Sequence, residues 1–311
     1  MPIVVIGAVF VDVKGFPDEK YQPLGRNAGR VEFVHGGVGR NVAEDIANVE
    51  LRPRFVSLVD QSPQGEAVLK KLNKHKVDTR YVMQTPDGMG MWLAVFDNNG
   101  DLAGSISRRP DLLPMAKLLE EKGDEIFRDA DSIVVEIDVD KEIIKQVFYF
   151  AKKYNKKVYA VVANMAIATQ RRDFFQSIDC FVCNVIEAGI LFVADFSALS
   201  PQELALELKE RVVSARIPSM VVTMGSKGSV YADKNGNCGF CPARSVTVRD
   251  TTGAGDAFCA GVAMGLTYGK DLPQAMEIGT RLAASVITAS ENVCPRFLPG
   301  ELGLDVELTE G

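Results

Sequence analysis

The sequence predicts an α/β fold with a mostly parallel central sheet. Short β-branched runs alternate with longer segments of helical period, which is how strands joined by crossover helices read. The 311 residues are 47% hydrophobic and 24% charged, enough apolar material for a substantial core and no mark of disorder. No internal repeat and no low-complexity linker divides the chain. One domain covering 1–311 is expected.

The predicted buried strands are Ile3 to Val9, Arg54 to Val59, Ser132 to Ile137, Lys157 to Val162, Asp179 to Cys183 and Met220 to Met224. Between them the helical period marks Gly65 to Lys74, Lys141 to Tyr154 and Gln202 to Ala215, the last announced by Ser200 as cap and Pro201 in the first turn. Two stretches break the rhythm. Residues 13–35 are rich in Gly and Pro without helical period, and Met91 to Phe96 with Leu102 to Ser107 reads as an antiparallel hairpin around Asn98-Asn99-Gly100-Asp101. They form either a small lid sheet, roughly 13–35 with 88–108, or peripheral loops.

Charge and composition exclude several classes. Lys plus Arg number 35 against 41 Asp plus Glu, a formal charge of −6, so a nucleic-acid partner is not expected. The apolar run from Ile3 to Val11 is too short to span a bilayer and no basic residue precedes it, so neither a membrane anchor nor a secretory leader is expected. Two histidines are too few for a His-built metal site, which leaves carboxylates and backbone groups to carry catalysis.

Six cysteines include two C-x-x-C pairs, Cys180 with Cys183 and Cys238 with Cys241. In an extended strand the first pair points to opposite faces, and 54 residues separate the pairs, far from zinc-ribbon spacing. Reduced, buried thiols in a cytoplasmic protein are expected, against the alternatives of zinc or a redox dithiol.

The segment Arg249-Asp250-Thr251-Thr252-Gly253-Ala254-Gly255-Asp256-Ala257-Phe258, followed by the apolar run Cys259 to Leu266, carries the most chemistry. Small residues at 253–255 let backbone approach a ligand, and the helix starting there offers free N–H groups to an anion. Asp256 then has two readings. It caps the helix, or it accepts a proton from a hydroxyl attacking a phosphoryl group bound at that helix end. The loop is neither a Walker A string nor G-x-G-x-x-G, because Phe258 stands where the third glycine belongs.

DTTGAGDAF resembles the C-terminal signature of the PfkB/ribokinase family of sugar and nucleoside kinases, and Gly36-Gly37-Val38-Gly39-Arg40-Asn41-Val42-Ala43 resembles its N-terminal signature. Asn184-Val185-Ile186-Glu187 is similar to the family's N-x-x-E motif, Thr223-Met224-Gly225-Ser226-Lys227-Gly228 to its nucleotide-binding turn, and Gly7 to Asp12 to its first strand and substrate-binding Asp. The resemblance spans essentially the whole chain. It implies a ribokinase-like three-layer α/β/α fold with a mostly parallel central sheet and a small β-sheet lid.

It also implies roles. Asp256 would be the general base, with the amides of Gly253, Ala254 and Gly255 as anion hole. Asn184 and Glu187 would organise Mg²⁺ and its waters, the alternative being a helix start with Asn as cap. Thr223, Gly225 and Gly228 would line the ATP site, while Lys227 reads equally as a solvated charge. Asp12 and Asn41 would bind sugar hydroxyls, with Gly36 and Gly37 keeping the backbone thin. Asp250 would help hold a monovalent cation such as K⁺.

The implied reaction moves the γ-phosphate of ATP to the primary hydroxyl of a small nucleoside or ribose-like sugar. The string GGVGRNVAEDIA most resembles the pseudouridine kinase branch, whereas Ser107 to Asp111 departs from it. Pseudouridine is therefore the leading substrate, with ribose or a fructose derivative as alternatives and a non-catalytic sugar or nucleoside sensor as a third reading. Apolar Val31, Phe33, Trp92 and Val95 on the lid predict a homodimer through it.

Overall fold

The computed structural model describes residues 2–306. β1 (Val4–Ile6) leads into β2 (Phe10–Pro17) and β3 (Gly29–Gly36). α1 (Val38–Asn48), β4 (Arg54–Val59), α2 (Pro63–Lys74) and β5 (Asp78–Gln84) resume the alternation, and β6 (Gly90–Phe96) with β7 (Leu102–Arg108) interrupts it again. Next come α3 (Leu113–Phe127), β8 (Ser132–Glu136), α4 (Lys141–Tyr154), β9 (Lys157–Val161), the short α5 (Met165–Ala168), β10 (Cys180–Asn184), α6 (Val185–Phe192), α7 (Pro201–Ala215) and β11 (Ser219–Thr223). The chain closes with β12 (Ser229–Asp233), β13 (Cys238–Cys241), α8 (Ala254–Thr267) and α9 (Leu272–Thr288).

Nine strands build the large sheet in the order β13-β12-β11-β10-β9-β8-β1-β4-β5. All neighbours are parallel except β11–β12 and β12–β13, the antiparallel edge that completes the sheet without further crossovers. One face packs on α3, α4, α6 and α7 through residues such as Leu119, Ile144, Leu191 and Leu208. The other packs on α1, α2, α8 and α9 through Ile46, Leu72, Val262 and Leu282. This is the predicted three-layer arrangement. α8 and α9 approach closely because both are glycine at the crossing: a Cβ on Gly261 would stand 2.6 Å from the Gly279 Cα.

The second sheet has the order β3-β2-β6-β7, with β2 and β6 parallel and the outer pairs antiparallel. The Gly- and Pro-rich stretch takes the lid-sheet alternative, as the strands Phe10–Pro17 and Gly29–Gly36. One expectation is corrected: the first core strand ends at Ile6, so Asp12 sits on the small sheet instead of at the end of β1. Register divides this sheet into two faces. Phe10, Asp12, Trp92 and Ser107 share the inner one, and Val13, Phe33, Leu93 and Ile106 align across the outer one. Trp92 is therefore an inner residue, unlike Val31 and Phe33, which are 63% and 59% exposed.

The cysteines follow the strand geometry. Cys180 and Cys183 fall in the hydrophobic cores on opposite sides of the sheet, and all six residues are free thiols. Among the described residues no helix is long and apolar enough to cross a membrane.

Candidate active site

α8 starts between two cavities. Gly253 is its N-cap at φ 83°, and a Cβ there would fall 1.9 Å from the Asn292 carbonyl oxygen, so only glycine fits both the backbone and the space. Ala254 donates to Thr251 O at 3.2 Å, closing the turn. Beyond it Gly255 has open space where a side chain would stand, at a helix end whose first amides have no partner within the helix. Thr252, Gly253 and Asp256 line one cavity of about 770 Å³, while Thr251, Ala254, Gly255 and Phe258 line another of about 570 Å³.

The larger cavity lies under the inner face of the small sheet, between Phe10, Asp12 and Trp92 above and Gly36, Gly37, Asn41 and Asp256 below. A Cβ on Gly36 would crowd the Asp12 carboxylate at 2.9 Å, and Gly37, at φ 99°, lets the backbone pass where a Cβ would meet the Ala8 carbonyl at 2.4 Å. Burial raises the Asp12 carboxyl despite Lys14 and Arg40. Asn41 donates its Nδ2 to Asp256 Oδ2 at 2.6 Å, and its buried Oδ1 has no hydrogen-bond partner. That orphaned acceptor fits a ligand hydroxyl.

Burial pushes the Asp256 carboxyl up to about 6, against the lowering pull of the Asn41 hydrogen bond and the Arg40 charge. A carboxylate of that proton affinity, next to an anion-binding helix end, can take a proton from an incoming hydroxyl. Arg40 is buried behind it, its guanidinium bound to Glu44, the His35 carbonyl and Asn292 Oδ1.

Three residues that the motifs did not single out complete this cavity. Glu136 ends β8 and Asp138 follows it in the turn beyond, and both line the larger cavity. Arg109, just after β7, reaches Asp138 Oδ2 at 3.4 Å, and Asp138 also accepts from Ala163 N at 2.9 Å and Asn164 N at 3.1 Å. Carboxyl ends of parallel strands are where α/β sheets place ligands, and that signal in Glu136-Ile137-Asp138 was available.

The smaller cavity brings together Thr223, Gly225 and Gly228 with the apolar Val246, Val248, Ala283 and Ile287. Gly228 takes φ 97°, where a Cβ would meet the Cys241 carbonyl at 2.2 Å. An apolar slot that opens on a helix N-terminus fits a nucleotide, base inward and phosphates at the helix. Lys227 points away, its Nζ 3.2 Å from Leu199 O.

Asn184 and Glu187 lie one strand over, with Asn184 paired to Thr223 in the sheet. They form a capping box: Asn184 N donates to Glu187 Oε2 at 2.8 Å, and Glu187 N donates to Asn184 Oδ1 at 2.9 Å. Among the described residues no cluster of three or more His, Cys, Asp or Glu could hold a metal by itself. The donor set fits Mg²⁺ carried in on phosphates and reached through water, not a protein cage. Asp250 Oδ1 accepts from Thr252 N at 2.9 Å and from Thr252 Oγ1 at 2.8 Å, bracing the turn before α8.

Residues 2–293 match the family model described as pfkB family carbohydrate kinase. The chain is 34% identical over 299 residues to the guanosine-inosine kinase of Exiguobacterium acetylicum, covering 93% of this chain and 95% of that one. It is 27% identical over 263 residues to the pseudouridine kinase of Escherichia coli K12, covering 84% and 82%. Among solved structures, Arabidopsis thaliana ribokinase complexed with ribose and ATP superposes with a TM-score of 0.82 at 20% identity, over 98% of this chain and 99% of that one.

Proposed function

The chain belongs to the pfkB family of carbohydrate kinases, and from that premise we propose that it transfers the γ-phosphate of ATP to the 5′-hydroxyl of a 6-oxopurine ribonucleoside such as guanosine or inosine. The observation that carries the kinase reading is the position of Asp256 at the helix end where the two cavities meet. The nucleoside occupies the larger cavity under the small sheet, and the nucleotide occupies the smaller one.

In this reading Asp12 and the free Oδ1 of Asn41 hold the ribose hydroxyls and direct the primary hydroxyl to Asp256. Asp256 takes the hydroxyl proton as the oxygen attacks the terminal phosphorus. The amides of Gly253 and Gly255 stabilise charge on the transferring group, whereas the Ala254 amide, expected to join them, is engaged by the Thr251 carbonyl. Asn184 and Glu187 would hold, through water, a Mg²⁺ ion carried in on the phosphates, which when bound would supply charge neutralisation. The small sheet closes the cavity and keeps water from ATP. Asp250, through its grip on Thr252, is the residue by which a monovalent cation such as K⁺ would act on the turn.

The base is read at the far end of the cavity. Arg109, steadied by Asp138, keeps donors for two acceptors, and a 6-oxopurine offers O6 and N7 side by side, whereas adenine presents an amino donor at position 6. The similarity to guanosine-inosine kinase supports the same class. Pseudouridine is the second reading, supported by the GGVGRN string and the Escherichia coli relative.

Release of ADP with guanosine, inosine, adenosine, pseudouridine, uridine, ribose and fructose derivatives tests the reading. Fastest turnover with guanosine or inosine, giving the 5′-monophosphate by mass spectrometry, supports it. Pseudouridine as best substrate moves the assignment to the second reading. Turnover of ribose or a fructose derivative alone returns it to a sugar kinase, and no turnover with any leaves a sensor.

The outer face of the small sheet fits a second copy of this chain, because Val31, Phe33, Leu93 and Ile106 form one exposed apolar patch in register. An ATP-consuming enzyme with free thiols belongs in the reducing cytoplasm.

A further inference from the structure

α1 begins without a cap of its own. Its N-cap is Gly37, no side chain of its own first turn accepts from it, and no acidic residue lies there. A helix end in that condition leaves buried N–H groups in need of an acceptor. The acceptor arrives from another layer of the fold. Glu136, 3% exposed at the end of β8, takes Gly39 N at 3.2 Å and Ala8 N at 2.8 Å, both on Oε2. Glycines make the space: a Cβ on Gly7 would stand 2.4 Å from that oxygen, and one on Gly39 would stand 2.6 Å from the Gly7 Cα. One turn into the same helix stands Asn41, which holds Asp256.

We propose that Glu136 is a positioning residue: it caps α1 from across the cleft, fixing Asn41 and, through Asn41, the carboxylate of Asp256. The catalytic consequence rests on the kinase reading above, whereas the capping stands on its own. Glu136 also lines the larger cavity. Burial first, then the Asp138 charge, push its carboxyl up to about 8, with Asp256 adding to the rise and the two amides opposing it. Near neutral pH the group holds a proton, and with Oε2 accepting twice, that proton belongs on Oε1. The charged groups around it are Asp138 with Arg109, Asp256 on α8, Asp12 on the small sheet, and Arg40 with Glu44 on α1, where Arg40 is committed to Glu44 and the His35 carbonyl. Above pH 8 an ionised Glu136 adds negative charge beside the base and the incoming hydroxyl, so turnover falls on the alkaline side.

Two variants in the full-length protein test this. Glu136→Gln keeps an acceptor for both amides and stays neutral at every pH, and Glu136→Met fills the space without accepting. The Gln variant is expected to keep kcat near neutral pH within about twofold and to lose the alkaline limb. The Met variant is expected to lose about 10- to 100-fold in kcat with the KM for ATP unchanged, the size of loss that small misplacements of reacting groups produce. Hydrogen exchange at residues 38–41 reads the cap without any turnover: protected in wild type and Gln variant, faster in the Met variant. Equal exchange in all three, an alkaline limb retained in the Gln variant, or undiminished kcat in the Met variant overturns the proposal. A wild type that exchanges as expected but phosphorylates no substrate removes the kinase reading and leaves the cap standing.

Discussion

Asn41 Nδ2 and Asp256 Oδ2 lie 2.6 Å apart although 215 residues separate them in the chain. That single bond joins the first turns of α1 and α8, the two helices whose starts carry the glycine-rich signatures.

Removing the base tests the centre of this arrangement. Asp256→Asn keeps the shape and loses the proton acceptor, so kcat is expected to fall by about 10²- to 10⁴-fold while nucleotide binding, read by calorimetry, is unchanged. Comparable turnover in the variant would remove Asp256 from the reaction.

The pH dependence has a defined sign. Asp256 must be ionised to accept a proton, and its carboxyl lies at about 6, so kcat/KM is expected to fall as pH drops through that value. The Asn41 hydrogen bond favours the charged form, so Asn41→Ala is expected to move this acid limb to higher pH. A limb that stays in place in the variant would show that the bond does not hold the base.

The proposed base reading makes Arg109 a test of specificity apart from catalysis. One good fork to a purine edge is worth about 1–3 kcal/mol, so Arg109→Met should cut kcat/KM for inosine by about 10- to 100-fold and leave adenosine within about threefold. Equal losses for both nucleosides would mean that Arg109 supports the cavity without reading the base.

The outer face of the small sheet makes its own prediction. Phe33→Glu with Ile106→Glu places charge in the exposed apolar patch, and light scattering after gel filtration should show a dimer in wild type and a monomer in the variant. A monomeric wild type would dismiss the dimer.

Asp45 predicts a change in stability alone. Its carboxyl is fully buried, Oδ1 accepts from Cys294 N at 2.6 Å, Oδ2 has no hydrogen-bond partner, and burial pushes it well above the usual range. A group raised in the folded state contributes fully below its unfolded value and loses that contribution as pH rises toward the folded value. Asp45→Asn is neutral in both states, so its melting temperature relative to wild type should rise as pH climbs above the ordinary carboxylate range. A difference independent of pH would show that Asp45 is ionised in the fold.

Where the sequence was informative, the cause was local. Lys141–Tyr154 appears as read because its period and boundary residues agree, and the 253–256 turn was legible because small residues before an apolar helix have few other uses. The small sheet was harder. β3 shows no burial alternation over Gly29 to Phe33, because residues on both of its faces are exposed there, Arg30 and Glu32 on one and Val31 and Phe33 on the other. The place of Glu136 at a strand end was legible but its bonds were not, because the amides it accepts from, Ala8 and Gly39, lie 128 and 97 residues away and such contacts leave no spacing to read. Asn184 and Glu187 show why the two readings stayed open, because the capping box and the motif use the same pair.

The start of α8 is a shared wall, with Asp256 turned to one chamber and Gly255 to the other. On the proposed reading the acceptor and the nucleotide therefore sit on opposite sides of one helix turn, within reach of a single molecule. If the proposed occupants are right, a single dumbbell-shaped molecule, two nucleosides joined by a chain of phosphates, would occupy both at once. Its second half would bind at the high effective concentration set by so short a tether, making such compounds far tighter ligands than either nucleoside alone.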